Sequence, residues 1–446
     1  MLLATCRSAL IAALLGAIAV GMCLKASGGE DWPRWRGPRG DGTWNAPAVP
    51  EKWPESGPPV VWQAPIGPGY SGISVSHGRV YTMDRLKDSQ EERVVCLDEK
   101  TGQPIWEHRY TADYKGLDYD KGPRCTPTVY DGHVYTLGAV GHVFCLDAAS
   151  GKLLWSKDII KDGKSKLTEW GFGSSIVIDG PRAIVHAGVQ PGGCYIAYDR
   201  ATGQELWRGG DDTHGYGTPI VIEHAGMRQL VGWTPKHIVA LDIASGKLLW
   251  EYPYDVTYGV SIATPIFHDD TVLVCGYWHG SKAIKLGSKP TDAELLWEEN
   301  RYTRGLMDQP LYKDGYVYLL ERQHGTVAFE LAKGEMLWTD ENKLHPRDRN
   351  PQVSMVWLNH TNPKRRRGSQ EAAERGSGRA ICLNAQGELI LVRLSPDGLV
   401  EDSRAKIIGE TWAHPGYAGN CCFARDDEKI ICVRIAEPST NEKSGR

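Results

Sequence analysis

Apolar residues along this chain fall in short runs punctuated by Gly, Asp and Asn. Thr126 to Gly138, TPTVYDGHVYTLG, is an apolar run, an Asp-Gly turn and a second apolar run. That pattern predicts two short antiparallel strands. The unit recurs at Ser71–Asp84, Ser174–Gly188, Thr218–Trp233, Thr264–Trp278 and Gln309–Glu321. A seventh copy is interrupted, with Val353–His360 followed by Arg379–Leu394 after a polar insertion, and an eighth spans Gly416–Ile435.

Between these units lies a second repeat. LDAASGKLLW (Leu146 to Trp155) and LDIASGKLLW (Leu241 to Trp250) differ at one residue. Further copies run from Cys96 to Trp106, Ala197 to Trp207 and Ala328 to Trp338, and a looser one ends at Trp297. The phrase is small-x-Asp-x-x-Thr/Ser-Gly-x-x-x-Trp. Asp can bond forward to backbone N–H groups and Gly supplies positive φ, so the phrase predicts a corner between two strands. Asp98, Asp147, Asp199 and Asp242 are therefore turn residues and poor catalytic candidates. Trp106, Trp155, Trp207, Trp250, Trp297 and Trp338 are 41 to 52 residues apart. A β-type repeat of that period predicts propeller blades.

Eight inner units but fewer Trp strands leave one outer strand missing at the C-terminus. VVWQAPIG (Val60 to Gly67) has the Trp-strand pattern without a phrase before it. The expected fold is all-β: an eight-bladed propeller of four-stranded blades, closed by an N-terminal strand around Trp62 that completes the last blade. Ala405 to Trp412 reads as a degenerate outer strand of blade seven. The expected boundaries are a signal peptide at 1–26, a Trp/Pro-rich leader at 27–59 packed on the propeller, the propeller at 60–436 with an insertion at about 361–378, and a tail at 437–446.

Composition adds detail. The chain holds 446 residues, 41% hydrophobic and 24% charged, with a net charge of −4. That balance gives no electrostatic case for nucleic acid. The basic run Lys364–Arg367 reads as a solvated loop. Sixteen Trp against five Phe demand a repeated structural role for Trp. The apolar stretch Ala9–Leu24 behind Arg7 predicts export to the periplasm or cell envelope, with no membrane span after cleavage; an uncleaved anchor is the alternative. Nine cysteines follow Cys23, an odd number that leaves at least one unpaired within the chain. Cys96, Cys145 and Cys432 stand where other copies have Ala, so they read as small buried residues.

The phrase resembles the tryptophan-docking motif of pyrroloquinoline-quinone (PQQ)-like repeat propellers, over roughly Val60 to Ile435. That class includes quinoprotein alcohol dehydrogenases and the outer-membrane assembly factor BamB. Asp31–Pro54 looks like the leader of exported members. The resemblance implies a propeller and leaves function open. A dehydrogenase of the class would need PQQ, calcium with about six to eight oxygen ligands, an Asp base and an aromatic floor. Candidates are Glu169, Asp308 and Asn350 for oxygen, Arg124 for a cofactor carboxylate and Trp170 for stacking. Cys421-Cys422, the only adjacent cysteines, sit within a strand, where successive side chains point oppositely.

Ligands of propellers usually sit at the channel mouth, so the residues preceding each inner strand form the candidate binding ring: Tyr70, Arg124, Trp170, His214, Tyr216, Tyr258, Gln309, Asn350, His414 and Tyr417. A second set lies on hairpins: Arg85, Trp233, Lys236, His237, Trp278, His279, Arg322 and His324. No zinc-protease, nucleophile-elbow or phosphate-loop motif occurs. The expected function is a non-catalytic, monomeric binding or scaffold protein that uses its mouth loops on a protein, small ligand or glycan, with no cofactor. The alternatives are a PQQ- and calcium-dependent dehydrogenase, with Glu169 and Asp308 as weak catalytic candidates, and a glycan-binding propeller.

Overall fold

The computed structural model describes residues 29–86, 88–305, 307–360 and 375–437. The signal segment, Cys6, Cys23, the basic run at 364–367 and the tail from 438 onward lie outside the described residues.

Eight sheets form the eight blades, each of four antiparallel strands, with a fifth, parallel strand from the leader added to blade 7. Blade 1 is built from Ser74–Ser76, Arg79–Arg85, Glu91–Asp98 and Pro104–Thr111, innermost strand first. Blades 2 to 6 repeat that order. Blade 8 takes Gly416–Ala418, Cys421–Arg425 and Lys429–Arg434 from the C-terminus, and Val60–Pro65 from the N-terminus as its outer strand. The ring is closed by pairing the chain's two ends. Among the described residues no helix is long and apolar enough to cross a membrane.

The phrase is the corner between third and fourth strands. Asp147 Oδ1 accepts from the Ser150 amide at 2.8 Å and the Ser150 hydroxyl at 2.6 Å. The small residue before it faces the Trp directly across the ladder: Cys145 with Trp155, Ala197 with Trp207, Cys432 with Trp62. All nine cysteines after Cys23 are free thiols, and all but Cys421 are buried.

The phrase also joins neighbouring blades. Trp62, Trp106, Trp155, Trp207 and Trp297 donate their indole N–H to the carbonyls of Glu99, Ala148, Arg200, Ile243 and Leu331. Each acceptor directly follows the Asp, or in blade 6 Glu330, of the next blade's phrase. The phrase Gly then lies under the previous blade's indole. At Gly151, φ is 72° and a Cβ would come within 2.6 Å of the Trp106 ring. Gly is thus required twice, by backbone and by docking. Trp338 uses the Ser395 carbonyl. Trp250 faces a blade whose phrase is stretched by an insertion, and its indole turns to Gln229 Oε1 of its own blade at 3.1 Å.

Blade 7 departs from the expectation. Its outer strand is Gly398–Lys406, which carries no Trp, and not the segment ending at Trp412. The leader supplies what is missing. Trp53 is buried, its amide donates to Ser403 Oγ of that outer strand, and its indole donates to the Ile435 carbonyl of blade 8. Ile435 directly follows the third strand of blade 8, so its carbonyl matches the acceptors at the other seams.

The rest of the leader enters the channel. Trp32 exchanges backbone hydrogen bonds with Val75, the innermost strand of blade 1. Thr43–Ala46 runs parallel to Val353–His360, the innermost strand of blade 7. Between them the chain turns at Arg34–Gly42, forming a finger along the axis. Its tip is held by Trp35 Nε1 donating to Thr264 Oγ1 at 2.8 Å and by Arg36 Nη2 donating to the Pro310 carbonyl at 2.7 Å.

Candidate functional site

Above the finger tip, the loops entering the inner strands enclose a cavity of about 560 Å³. Trp35 lies in its lining, so the leader helps close the lower end and the channel mouth becomes a cup. The wall is aromatic on every side. Tyr70 and Tyr119 each pack at 5.6 Å from Trp412, Trp170 at 5.8 Å from Tyr216, and Trp278 at 4.8 Å from Tyr277 and 6.2 Å from Tyr258.

Two of these tyrosines hold unfavourable backbone. Tyr119 has φ 52° and Tyr258 φ 59°, a left-handed conformation that costs a bulky residue about 1–2 kcal/mol. Both are exposed, Tyr258 at 72%. A strained, solvent-facing aromatic contributes little to a core, which points to a role at the cup itself.

Polar side chains interleave with the rings: Arg124, Gln309 and Asn350 are committed to neighbours, and Glu169 and Arg349 also line the cup. Arg124 gives its guanidinium to the carbonyls of Gly122, Asp118 and Tyr119, and lies 5.5 Å over Tyr70. Gln309 accepts from the Thr264 amide and Asn350 donates to Tyr119 Oη. Two side-chain atoms of residues around the cup, the donor Trp170 Nε1 and the acceptor Gln352 Oε1, are buried away from its surface without a protein partner.

Of the candidate ring, the cup brings together Tyr70, Arg124, Trp170, Tyr216, Tyr258, Gln309, Asn350 and His414, with Glu169 at its edge. His214 and Tyr417 are placed elsewhere. His214 is buried flat on Phe172 at 4.0 Å, and burial pushes its imidazole down to about 4. Tyr417 is buried between Trp32 and Trp44 of the finger. Of the hairpin set, Trp278 lines the cup and Arg322 stacks behind Tyr277 at 4.2 Å. Trp233 is buried against Tyr254, and His237 bonds Asp212. Trp35, Asp118, Tyr119, Tyr277, Arg349 and Trp412 complete the site without having been singled out for it. Trp35 comes from the leader and Trp412 from the segment read as a strand.

Asp308 is also outside the cup. It is buried, and its Oδ1 accepts from the Val353 amide at 2.6 Å. Burial holds its carboxyl well above the usual range. The folded chain therefore keeps a proton that the unfolded chain releases, and stability from this group falls as pH rises above about 4. Asp308→Asn retains an oxygen for Val353 and removes the titration. Urea unfolding from pH 4 to 8 is expected to show the wild type losing up to ~1.4 kcal/mol per pH unit relative to the Asp308→Asn variant within that window. Parallel curves would show that Asp308 stays ionised in the fold.

Of the residues that the resemblance implies for a calcium-bound quinone, Glu169, Asn350, Arg124 and Trp170 line the cup and Asp308 does not. Among the described residues no three His, Cys, Asp or Glu side chains converge. Asp308 is turned to Val353, Asn350 to Tyr119, and Arg124 to three carbonyls. Cys421 and Cys422 lie in blade 8 as free thiols on opposite faces of a strand, Cys422 buried and Cys421 half-buried.

Residues 54–139 and 90–340 match the family model described as outer membrane protein assembly factor BamB, a span of more than half the chain. The chain belongs to this family of PQQ-like repeat propellers. BamB of Yersinia pestis is 23% identical over 310 residues, 65% of this chain and 72% of its own length. The quinohemoprotein alcohol dehydrogenase ADH IIB of Pseudomonas putida is 27% identical over 248 residues, 52% of this chain. The chain covers only 32% of that dehydrogenase. Among solved structures, BamB of Moraxella catarrhalis aligns with TM-score 0.54 at 15% identity, covering 84% of this chain and 99% of that one. A europium-containing methanol dehydrogenase aligns at 0.61 and 12%, covering 92% and 90%. These structural likenesses show the fold, which assembly factors and dehydrogenases share.

Proposed function

We propose that this chain is a non-catalytic binding propeller of the cell envelope that receives a saccharide unit in its aromatic cup. The observation that carries this is an aromatic wall interleaved with polar side chains, among them Glu169, Arg349 and Asn350. A sugar ring offers apolar C–H faces to aromatic rings, and hydroxyls that both accept and donate. The kinship with BamB supports the envelope, in line with the export expected from the apolar stretch Ala9–Leu24. Kinship with BamB also suits a binding role for the mouth loops.

Tyr258→Gly tests the reading. Glycine relieves the left-handed strain, so stability should rise by about 0.5–1 kcal/mol after glycine's own entropic cost. Saccharide affinity should fall at least tenfold, about 1.4 kcal/mol. The measurement is a glycan-array screen, followed by calorimetric titration of the best ligand against both chains. Saturable, calcium-dependent quenching of Trp fluorescence by PQQ, with no glycan retained, would replace this reading by the dehydrogenase one.

A further inference from the structure

The leader carries a buried cation that the cup does not use. Arg36, at the finger tip, is 5% exposed. Its Nη2 donates to the Asp41 and Pro310 carbonyls at 2.9 and 2.7 Å, while Nε and Nη1 have no protein partner. Among the described residues no carboxylate lies within ion-pair distance. The nearest acid, Asp41, accepts from the Thr43 amide and hydroxyl at 2.9 and 2.6 Å and lies 3.9 Å from Arg39. Two histidines adjoin this cation, and burial keeps both neutral, His414 down to about 3 and His268 to about 4. An uncompensated buried charge costs several kcal/mol, so a fold that keeps one ordinarily supplies a partner.

Beside Arg36 is a void of about 10 Å³, also lined by Thr126, Ser354, Gln309, His414 and Gly42. Thr126 Oγ1 is a further buried hydroxyl without a partner. No Asp or Glu lines the space. Gly42 borders it with φ 80°, and a Cβ there would lie 2.7 Å from Leu311 Cδ2 and 3.1 Å from Arg36 Nη2. The volume suits one water-sized occupant. Water would satisfy the N–H groups and leave the charge unbalanced. A phosphate, sulfate or carboxylate is too large.

We propose that this void binds one small monovalent anion of the halide class, held by Arg36 Nε and Nη1 and the Thr126 hydroxyl. The anion neutralises the finger tip from below and fixes Trp35 in the cup lining. The site does not depend on what the cup binds.

The test compares thermal unfolding of the whole chain in sodium chloride, sodium bromide and sodium gluconate at matched ionic strength. A saturable rise of a few degrees is expected with chloride and bromide alone, as binding to the folded state requires. Arg36→Met should abolish it. Should that variant not fold, Thr126→Val serves instead and should shift the rise to higher halide concentration. Crystals grown in bromide should give an anomalous peak beside Arg36 Nε. Equal curves in chloride and gluconate, a halide effect that survives Arg36→Met, or density at Arg36 without anomalous signal would overturn the proposal.

Discussion

Arg425→Met is expected to cost about 3–5 kcal/mol and to open the ring at its closure, although Arg425 touches neither the cup nor the finger. Arg425 ends the second strand of blade 8 and is fully buried. Its guanidinium donates to the Met83 carbonyl at 2.6 Å and the Gly67 carbonyl at 2.5 Å, more than 340 residues away in sequence. One side chain thus binds the C-terminal blade, blade 1 and the segment leaving the closing strand. The neighbouring acid, Asp84, is already held by Arg93 at 2.7 Å and by the Gly67 amide at 2.6 Å. Arg425 therefore acts mainly on carbonyls. Methionine fills much of the volume and leaves those acceptors buried and unpaired, at about 1–3 kcal/mol each. Urea unfolding gives the loss, and limited proteolysis should cut first near residues 60–67. A loss below about 1 kcal/mol would mean that the backbone ladder between Val60–Pro65 and Lys429–Arg434 closes the ring unaided.

That closure was legible in the sequence because Trp62 sits on a Trp strand with no phrase before it. The blades were legible for a related reason: the indole of one blade requires a Gly and a free carbonyl in the next, so the contact is written into both repeats. Where the contact changes, the pattern fades. Trp250 turns to Gln229, and the outer strand of blade 7 has no Trp because Trp53 of the leader occupies its seam. Trp412, the nearest Trp in sequence, then looked like the missing residue, yet it stands at the cup between Tyr70 and Tyr119. The cup was legible only by position, as residues just before inner strands. His214 and Tyr417 meet that rule and still turn inward, because Phe172 and the finger's tryptophans offer them apolar partners. No periodicity marks Trp35 as part of the cup lining. Its place depends on the leader folding back into the channel, a contact between distant segments that leaves no repeat to read.

The finger makes Trp44→Ala the second large effect. Trp44 is fully buried, and its indole donates to the Glu30 carbonyl at 2.8 Å and packs 5.1 Å from Tyr417. It joins the two legs of the finger and seats them on blade 8, while its own strand pairs with blade 7. Removing a buried Trp costs about 3–5 kcal/mol. Any outer-edge docking residue should cost about the same, so stability alone cannot separate finger from blade. Affinity can. Trp44 lines no part of the cup, but it anchors the legs whose tip presents Trp35. Trp44→Ala should therefore weaken saccharide binding severalfold, whereas Trp106→Ala, which breaks the seam between blades 1 and 2, should lower stability with binding intact. Both chains would be titrated well below their unfolding midpoints. Equal affinities would make the finger a passive filler of the channel, with the saccharide held by the blade loops alone. A selective loss in Trp44→Ala would make the leader a working part of the binding site.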